Sequence, residues 1–372
     1  MSHILRTAGQ IALVPLAVSL LATLPLASLS GQEKVSIRET TCHSCTIERT
    51  RLAVLGDQEG QGVVNPIFRI AIDREGRYLL RSAYTPEEIQ VFDPDGRIER
   101  VVGGYGDGPG EFRFIRDIVP EEKGVAVFDF MHRRLTRLDS ALELVETFAA
   151  PYDPFTVVRM PGGGFAVSAQ IRTRELAGAP IHVTDQEGRI LRSFFEPNEV
   201  FRSDIPYSGK RLIAPGDGGS VWAMPRTEYR IDHWSAAGSK VREFNRSVSW
   251  FRPHARDIAP GQDEAPPPLV QGIVEDESGL LWTAVTVADA DWRDGVEERP
   301  GDVHSAVVGN KNLYWDTVFE VIDPVSGEVL AATRVDEYAE HLLAGHPPRY
   351  ATYRETGPHP VIEVWQLKVS GR

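Results

Sequence analysis

A period restricts this chain more than any other feature. Five short segments open on glycine and continue apolar: Gly76-Arg-Tyr-Leu-Leu, Gly124-Val-Ala-Val-Phe, Gly164-Phe-Ala-Val-Ser, Gly219-Ser-Val-Trp-Ala and Gly279-Leu-Leu-Trp-Thr. Three residues after each glycine stands Leu79, Val127, Val167, Trp222 or Trp282, which predicts one shared register of buried strand residues. A second segment follows each of these and ends at a turn: Phe92-Asp93-Pro-Asp-Gly96, Leu138-Asp139, Thr184-Asp185-Gln-Glu-Gly188, Trp234-Ser235-Ala-Ala-Gly238 and Ile322-Asp323-Pro-Val-Ser-Gly327. In the Asp-led turns the carboxylate accepts backbone N–H groups and the glycine takes a positive φ, the chemistry of a tight hairpin. A third apolar segment follows each turn. From Phe92 to Leu138, Thr184 and Trp234 the steps are 46, 46 and 50 residues, and the next, to Ile322, is 88. Repeats of this length with three or four strands each are the blades of a β-propeller, and the long step marks an insertion.

The expected fold is therefore all-β, a six-bladed β-propeller in residues 32–372, with blades near 66–104, 113–150, 154–197, 209–247, 269–335 and 338–369. The tail 361–369 alternates like an inner or middle strand of the sixth blade. The strand 47–55 has no blade of its own and is expected to complete the last one, joining the chain ends and removing exposed sheet edges. Helical spacing is scarce; a turn or two is expected around 337–343.

Residues 1–31 are a separate object. After His3 and Arg6, residues 11–29 carry no charge, and Ser28, Ser30 and Gly31 follow as small residues. This is the layout of a secretory signal peptide. A retained anchor is the rival reading, which Pro15, Pro25 and the small-residue end disfavour. The expected compartment is periplasmic or extracellular, with no membrane span after cleavage. Cys42 and Cys45 are the two cysteines. In an exported chain such a pair is read as a small structural disulfide. Thr46 stands where haem attachment needs His, a strand follows where a redox pair needs a helix start, and His43 alone cannot complete a zinc site.

With 42% hydrophobic and 25% charged residues the chain is globular in composition. Its formal charge of −13, with no Lys/Arg cluster along the sequence, argues against a nucleic-acid partner. A monomer is expected, with an unidentified protein or small molecule as ligand.

Within 103–139, Gly108-Pro109-Gly110-Glu-Phe112 precedes a blade, and Asp129-Phe-Met-His132-Arg-Arg134-Leu135 follows its Gly-led strand. These residues resemble the NHL-repeat family, which carries a Gly-Pro-Gly-polar-Phe turn and an Asp followed by Asn-x-Arg-Ile. His132 replaces the Asn. Tyr229-Arg230-Ile231 is a partial second match, and the first, third and fifth blades lack the Arg. Exported bacterial six-bladed propellers are the members most similar to this chain. The physical reading of the motif is structural. The glycines and Pro109 shape a crossover between blades, Phe112 plugs between sheets, and Asp129 and Arg134 pair or bond backbone groups across a turn.

Function is expected where the repeat is interrupted. A Pro-rich connection occupies 251–269, and an acidic insertion occupies 287–316. In the insertion, Asp289-x-Asp291-x-x-Asp294-Gly has some character of a calcium loop, with His304 further on, but it lacks the spacing and the closing Glu. No cofactor is predicted; calcium is the one ion this run brings to mind, against the reading of a solvated acidic loop. Trp292 and Trp315 either face a ligand or anchor the insertion. His341, His346 and His359 gather near the chain end. No Gly-x-Ser-x-Gly or His-Glu-x-x-His occurs. The expected function is a non-catalytic ligand- or protein-binding module; the alternative is a metal-dependent propeller hydrolase or lyase, lactonase-like, with its site in the central channel.

Overall fold

The computed structural model describes residues 32–39, 42–56, 62–171, 179–194, 209–255, 264–297, 307–355 and 359–371. The leader and His304 lie outside them. The chain is a six-bladed β-propeller. Blade 1 is built from Ile67–Ile72, Tyr78–Ser82, Glu88–Phe92 and Ile98–Gly103, in that order from the axis outward. Blade 2 uses Ile115–Glu121, Gly124–Asp129, Arg134–Leu138 and Leu144–Ala149; blade 3 uses Asp153–Arg159, Phe165–Gln170, Ile181–Thr184 and Ile190–Phe194. Blade 4 uses Arg211–Pro215, Val221–Pro225, Arg230–Trp234 and Lys240–Arg246; blade 5 uses Leu269–Glu275, Leu281–Ala288, Trp315–Asp323 and Glu328–Val335.

Blade 6 runs His341–Leu343, Arg349–Arg354 and Val361–Ser370, and Thr46–Leu55 closes it as its outermost strand. Thr46 pairs with Ser370 and Leu55 with Ile362, so the two ends of the fold are hydrogen-bonded together. The Cys42–Cys45 disulfide sits just before this strand, and Ser44 Oγ donates to the Gly371 carbonyl at 2.8 Å. The helical turn expected around 337–343 is not formed. His341–Leu343 is instead the innermost strand, paired with Arg349–Ala351, because sheet pairing outweighs weak local spacing. A further strand, Glu33–Ile37, adds in parallel to the outer edge of blade 4, and Arg38 bridges on to Glu328 of blade 5. No described helix is long and apolar enough to cross a membrane.

Alternation explains why the Gly-led strands are apolar on both faces. Neighbouring residues point to opposite sides of a sheet, and in a propeller both sides meet another blade. Leu79 joins the cluster between blades 1 and 2, while Leu80 joins the one between blades 6 and 1. Six such clusters, one per blade interface, close the ring. The expected common register is not kept. Leu79, Trp222 and Trp282 face the following blade, but Val127 and Val167 face the preceding one. A one-residue difference in the preceding turn is enough to exchange the faces.

Candidate functional site: a basic channel and the blade 5 insertion

In blade 2 the conspicuous residues are turned inward. Phe112 has no exposed surface and packs between blades 1 and 2. Gly103, at φ 91°, makes room for it: a Cβ there would stand 2.8 Å from the Phe112 ring. Asp129 accepts from the backbone N–H groups of Arg113, Phe114 and His132 at 2.9, 3.3 and 3.1 Å. Arg134 donates to the Glu111 carbonyl and lies 5.9 Å over the Phe112 ring. Gly108 N–H donates to Glu111 Oε2 at 2.7 Å, and Gly110, at φ 77°, ends the turn after Pro109. His132, where the repeat has Asn, bridges Asp129 and Asp107 at 2.8 and 2.6 Å. Arg230 in blade 4 lies between Glu228 and Asp232, 3.1 Å from each.

The innermost strands of all six blades line a central channel of about 660 Å³. Its wall carries six cations, Arg69, Arg116, Arg159, Lys210, Arg226 and Lys311, against three carboxylates, Asp117, Glu275 and Glu340. Burial pushes the carboxyls of Asp117 and Glu275 upward. The channel is thus positive inside a chain whose formal charge is −13.

Five of the cations gather where the innermost strands begin, whereas Arg159 ends its strand and lies 3.1 Å from Glu121. Arg69 reaches across to the Phe155 carbonyl of blade 3 at 2.5 Å and to Asp117 of blade 2 at 3.3 Å. Arg81, paired beside Arg69 in the sheet, is buried; burial, then Arg116 and Arg69, pull its pKa down to about 10. Arg81 and Arg116 lie 4.5 and 5.2 Å from the Phe114 ring, and Lys210 and Arg226 lie 5.1 and 5.8 Å from that of Phe155. Aromatic faces offset part of the mutual repulsion of these cations. Arg116 is also held bidentately by Asp153 at 2.7 and 2.9 Å.

The blade 5 insertion contributes to the same channel. Its short helix Lys311–Tyr314 docks on blade 6: Asn312 donates to the Tyr353 carbonyl at 2.7 Å, and Lys311 Nζ meets Glu340 at 2.7 Å on the channel wall. Trp292 is buried and meets Tyr314 edge-on at 6.0 Å, and Tyr314 meets Trp315 at 5.1 Å. Of the two readings of these aromatics, anchoring describes Trp292. Asp291 and Asp294 are exposed and enter no carboxylate group. Asp289 does, with Asp316 and Asp336, and among the described residues this is the group of three that could hold a metal ion. Burial, and then Asp289, raise the Asp316 pKa to about 6 against the pull of Arg334.

Sequence reasoning missed Arg81, Arg116, Lys210, Arg226, Lys311, Asp316 and Asp336 as a set. One signal was available: Arg69 and Arg116 stand 47 residues apart, matching the repeat, at the start of successive innermost strands.

A family model described as a 6-bladed beta-propeller (DUF5128) matches residues 63–214, blades 1 to 3 and the start of blade 4. Among solved structures, a Bacteroides fragilis protein described as a candidate exported protein superposes with a TM-score of 0.56 at 10% identity, covering 91% of this chain and 99% of that one. Virginiamycin B lyase from Staphylococcus aureus gives 0.46 at 12% identity, over 87% and 100% of the two chains. No curated protein matches the sequence. At these identities the likeness to solved structures is one of fold alone; the six blades of the structure and the family model make the chain a six-bladed β-propeller.

Proposed function

We propose that this propeller is a ligand-binding module that takes a small anionic molecule, bearing carboxylate or phosphate groups, into the basic mouth of its central channel. The observation that carries the reading is the reversal of charge, six cations to three carboxylates on the wall of a chain at −13. The channel volume lies within the range of small-molecule sites, and guanidinium forks bind carboxylate and phosphate oxygens bidentately. A low-dielectric wall strengthens that attraction. The alternative of a metal-dependent hydrolase or lyase asks for metal ligands converging in the channel. The carboxylate group found lies at the root of the insertion, outside the channel lining. Export of the chain belongs to the same proposal, supported by the apolar run 11–29 and by the disulfide. So does the NHL-like character of blade 2, supported by the backbone bonds of Asp129 and Arg134.

The test is calorimetry on the full chain with phosphate, citrate and a sugar phosphate, at low and high salt. At least one is expected to bind, with affinity falling as salt rises. The Arg116→Gln/Lys210→Gln double variant is expected to weaken it about tenfold or more, roughly 1.4 kcal/mol, with little change in unfolding temperature. Silence across the panel, or equal affinity in the double variant, would sink the proposal.

A further inference from the structure

We propose that Asp289, Asp316 and Asp336 form a binding site for a hard divalent cation, calcium by preference, at the root of the blade 5 insertion. One oxygen from each carboxylate lies within 4.8 Å of the other two. Asp289 directly follows the second strand of blade 5, Asp316 lies in the third and Asp336 directly follows the fourth. Three neighbouring strands of one rigid sheet therefore deliver the ligands, rather than one flexible loop.

A second, independent observation comes from Asp316 itself. Its side chain is nine-tenths buried. Arg334 holds Oδ2 at 2.5 Å, whereas the buried Oδ1 has no N–H donor, and the further side-chain partner of Asp316 is another carboxyl, that of Asp289. A carboxylate oxygen withdrawn from water without such a donor is costly, and a cation placed between the carboxylates removes that cost. Formal charge agrees. Three carboxylates against the Arg334 guanidinium leave −3 + 1 = −2, which a divalent ion neutralises.

The donor set decides the class of ion. It is all oxygen, which suits calcium, magnesium or manganese better than zinc or copper. Calcium accepts irregular arrangements of six to eight oxygens and fills the remainder with water, and exposed Asp336 leaves a side open for it. Magnesium demands a tighter octahedron. The site also touches the segment that reaches the channel, since Asp289 N–H donates to the Tyr314 carbonyl at 3.2 Å, at the end of the Lys311–Tyr314 helix. A bound cation would brace that segment. This inference stands apart from the anion reading, because its ligands are not channel residues.

The experiment is terbium titration of the EDTA-treated full chain, read by tryptophan-sensitised emission, with Trp315 next to Asp316 as sensitiser. Saturable emission that calcium displaces is expected, with a calcium-dependent rise in unfolding temperature. Asp289→Asn/Asp336→Asn is expected to weaken both by tenfold or more. Asp336 is exposed, so Asp336→Asn alone supplies a variant whose folding is not at risk, with a smaller loss in the same direction. Asp291→Asn/Asp294→Asn is expected to match the parent. Absence of saturable emission and of a calcium shift would overturn the site, as would equal binding in the Asp289/Asp336 variant or loss on replacing Asp291 and Asp294.

Discussion

Blade 2 and the blade 5 insertion are both rich in charged and aromatic residues, yet they use them in opposite ways. In blade 2, Asp129 is consumed by three backbone N–H groups, Arg134 by a carbonyl, and Phe112 by the interface between two sheets. Little chemistry is left over. In and beside the insertion, Asp316 keeps an oxygen without an N–H donor, Asp289 faces two other carboxylates, and Lys311 stands on the channel wall. A repeat must satisfy its own backbone in every copy, so its motif residues are bound to structural work. An insertion is released from that demand.

The comparison breaks if template residues prove to govern binding. The largest effect is expected from Phe112→Ala, which should cost about 3–5 kcal/mol in urea unfolding and leave ligand affinity of the folded fraction unchanged. A loss of binding at unchanged stability would reverse the assignment of blade 2.

A middle effect is expected at His233 in blade 4, stacked on Trp222 with ring centroids 3.8 Å apart. Burial, with Arg242 adding to it, holds its pKa down to about 4. The unfolded chain takes up this proton near pH 6.5 and the folded chain only near 4. The stabilisation is therefore complete above about pH 6.5 and is lost as pH falls through the folded pKa. His233→Phe keeps a ring on Trp222 and should remove about 2 kcal/mol of that acid-side loss, read from unfolding curves at pH 7 and pH 4. An unaltered pH profile would show that His233 is not the group responsible.

The smallest effect sharpens the comparison. Arg97 closes the Asp93 turn and lies 2.8 Å from Asp95, but both side chains are largely exposed. Arg97→Ala should change stability by no more than about 0.5 kcal/mol. A prominent place in the repeat is thus no measure of energy.

Much of the fold could be read before any coordinates. The 46-residue spacing, the Asp-x-x-Gly turns, the strand before residue 56 with no blade of its own, and the paired cysteines each rest on local chemistry, and local chemistry is written contiguously. The register was harder. Leu79 and Val127 occupy the same place after their glycines, yet face opposite ways, because the turn before one strand differs by a residue from the turn before the other. The parallel strand Glu33–Ile37 left no signal either, since it binds an edge more than 200 residues away. At the candidate sites, sequence reasoning found Asp289 but grouped it with Asp291 and Asp294, its neighbours along the chain. The sheet grouped it with Asp316 and Asp336 instead.

By itself, then, the sequence determined the blade, the number of blades and the way the ring is fastened, because a strand's alternation and a turn's φ angles depend on residues a few positions apart. Only the tertiary structure decided where charge collects. Arg69, Arg116, Lys210, Arg226 and Lys311 come from three blades and an insertion's helix, each unremarkable in its own segment. Electrostatic potential depends on distance in space, and closing the ring is what makes those distances short.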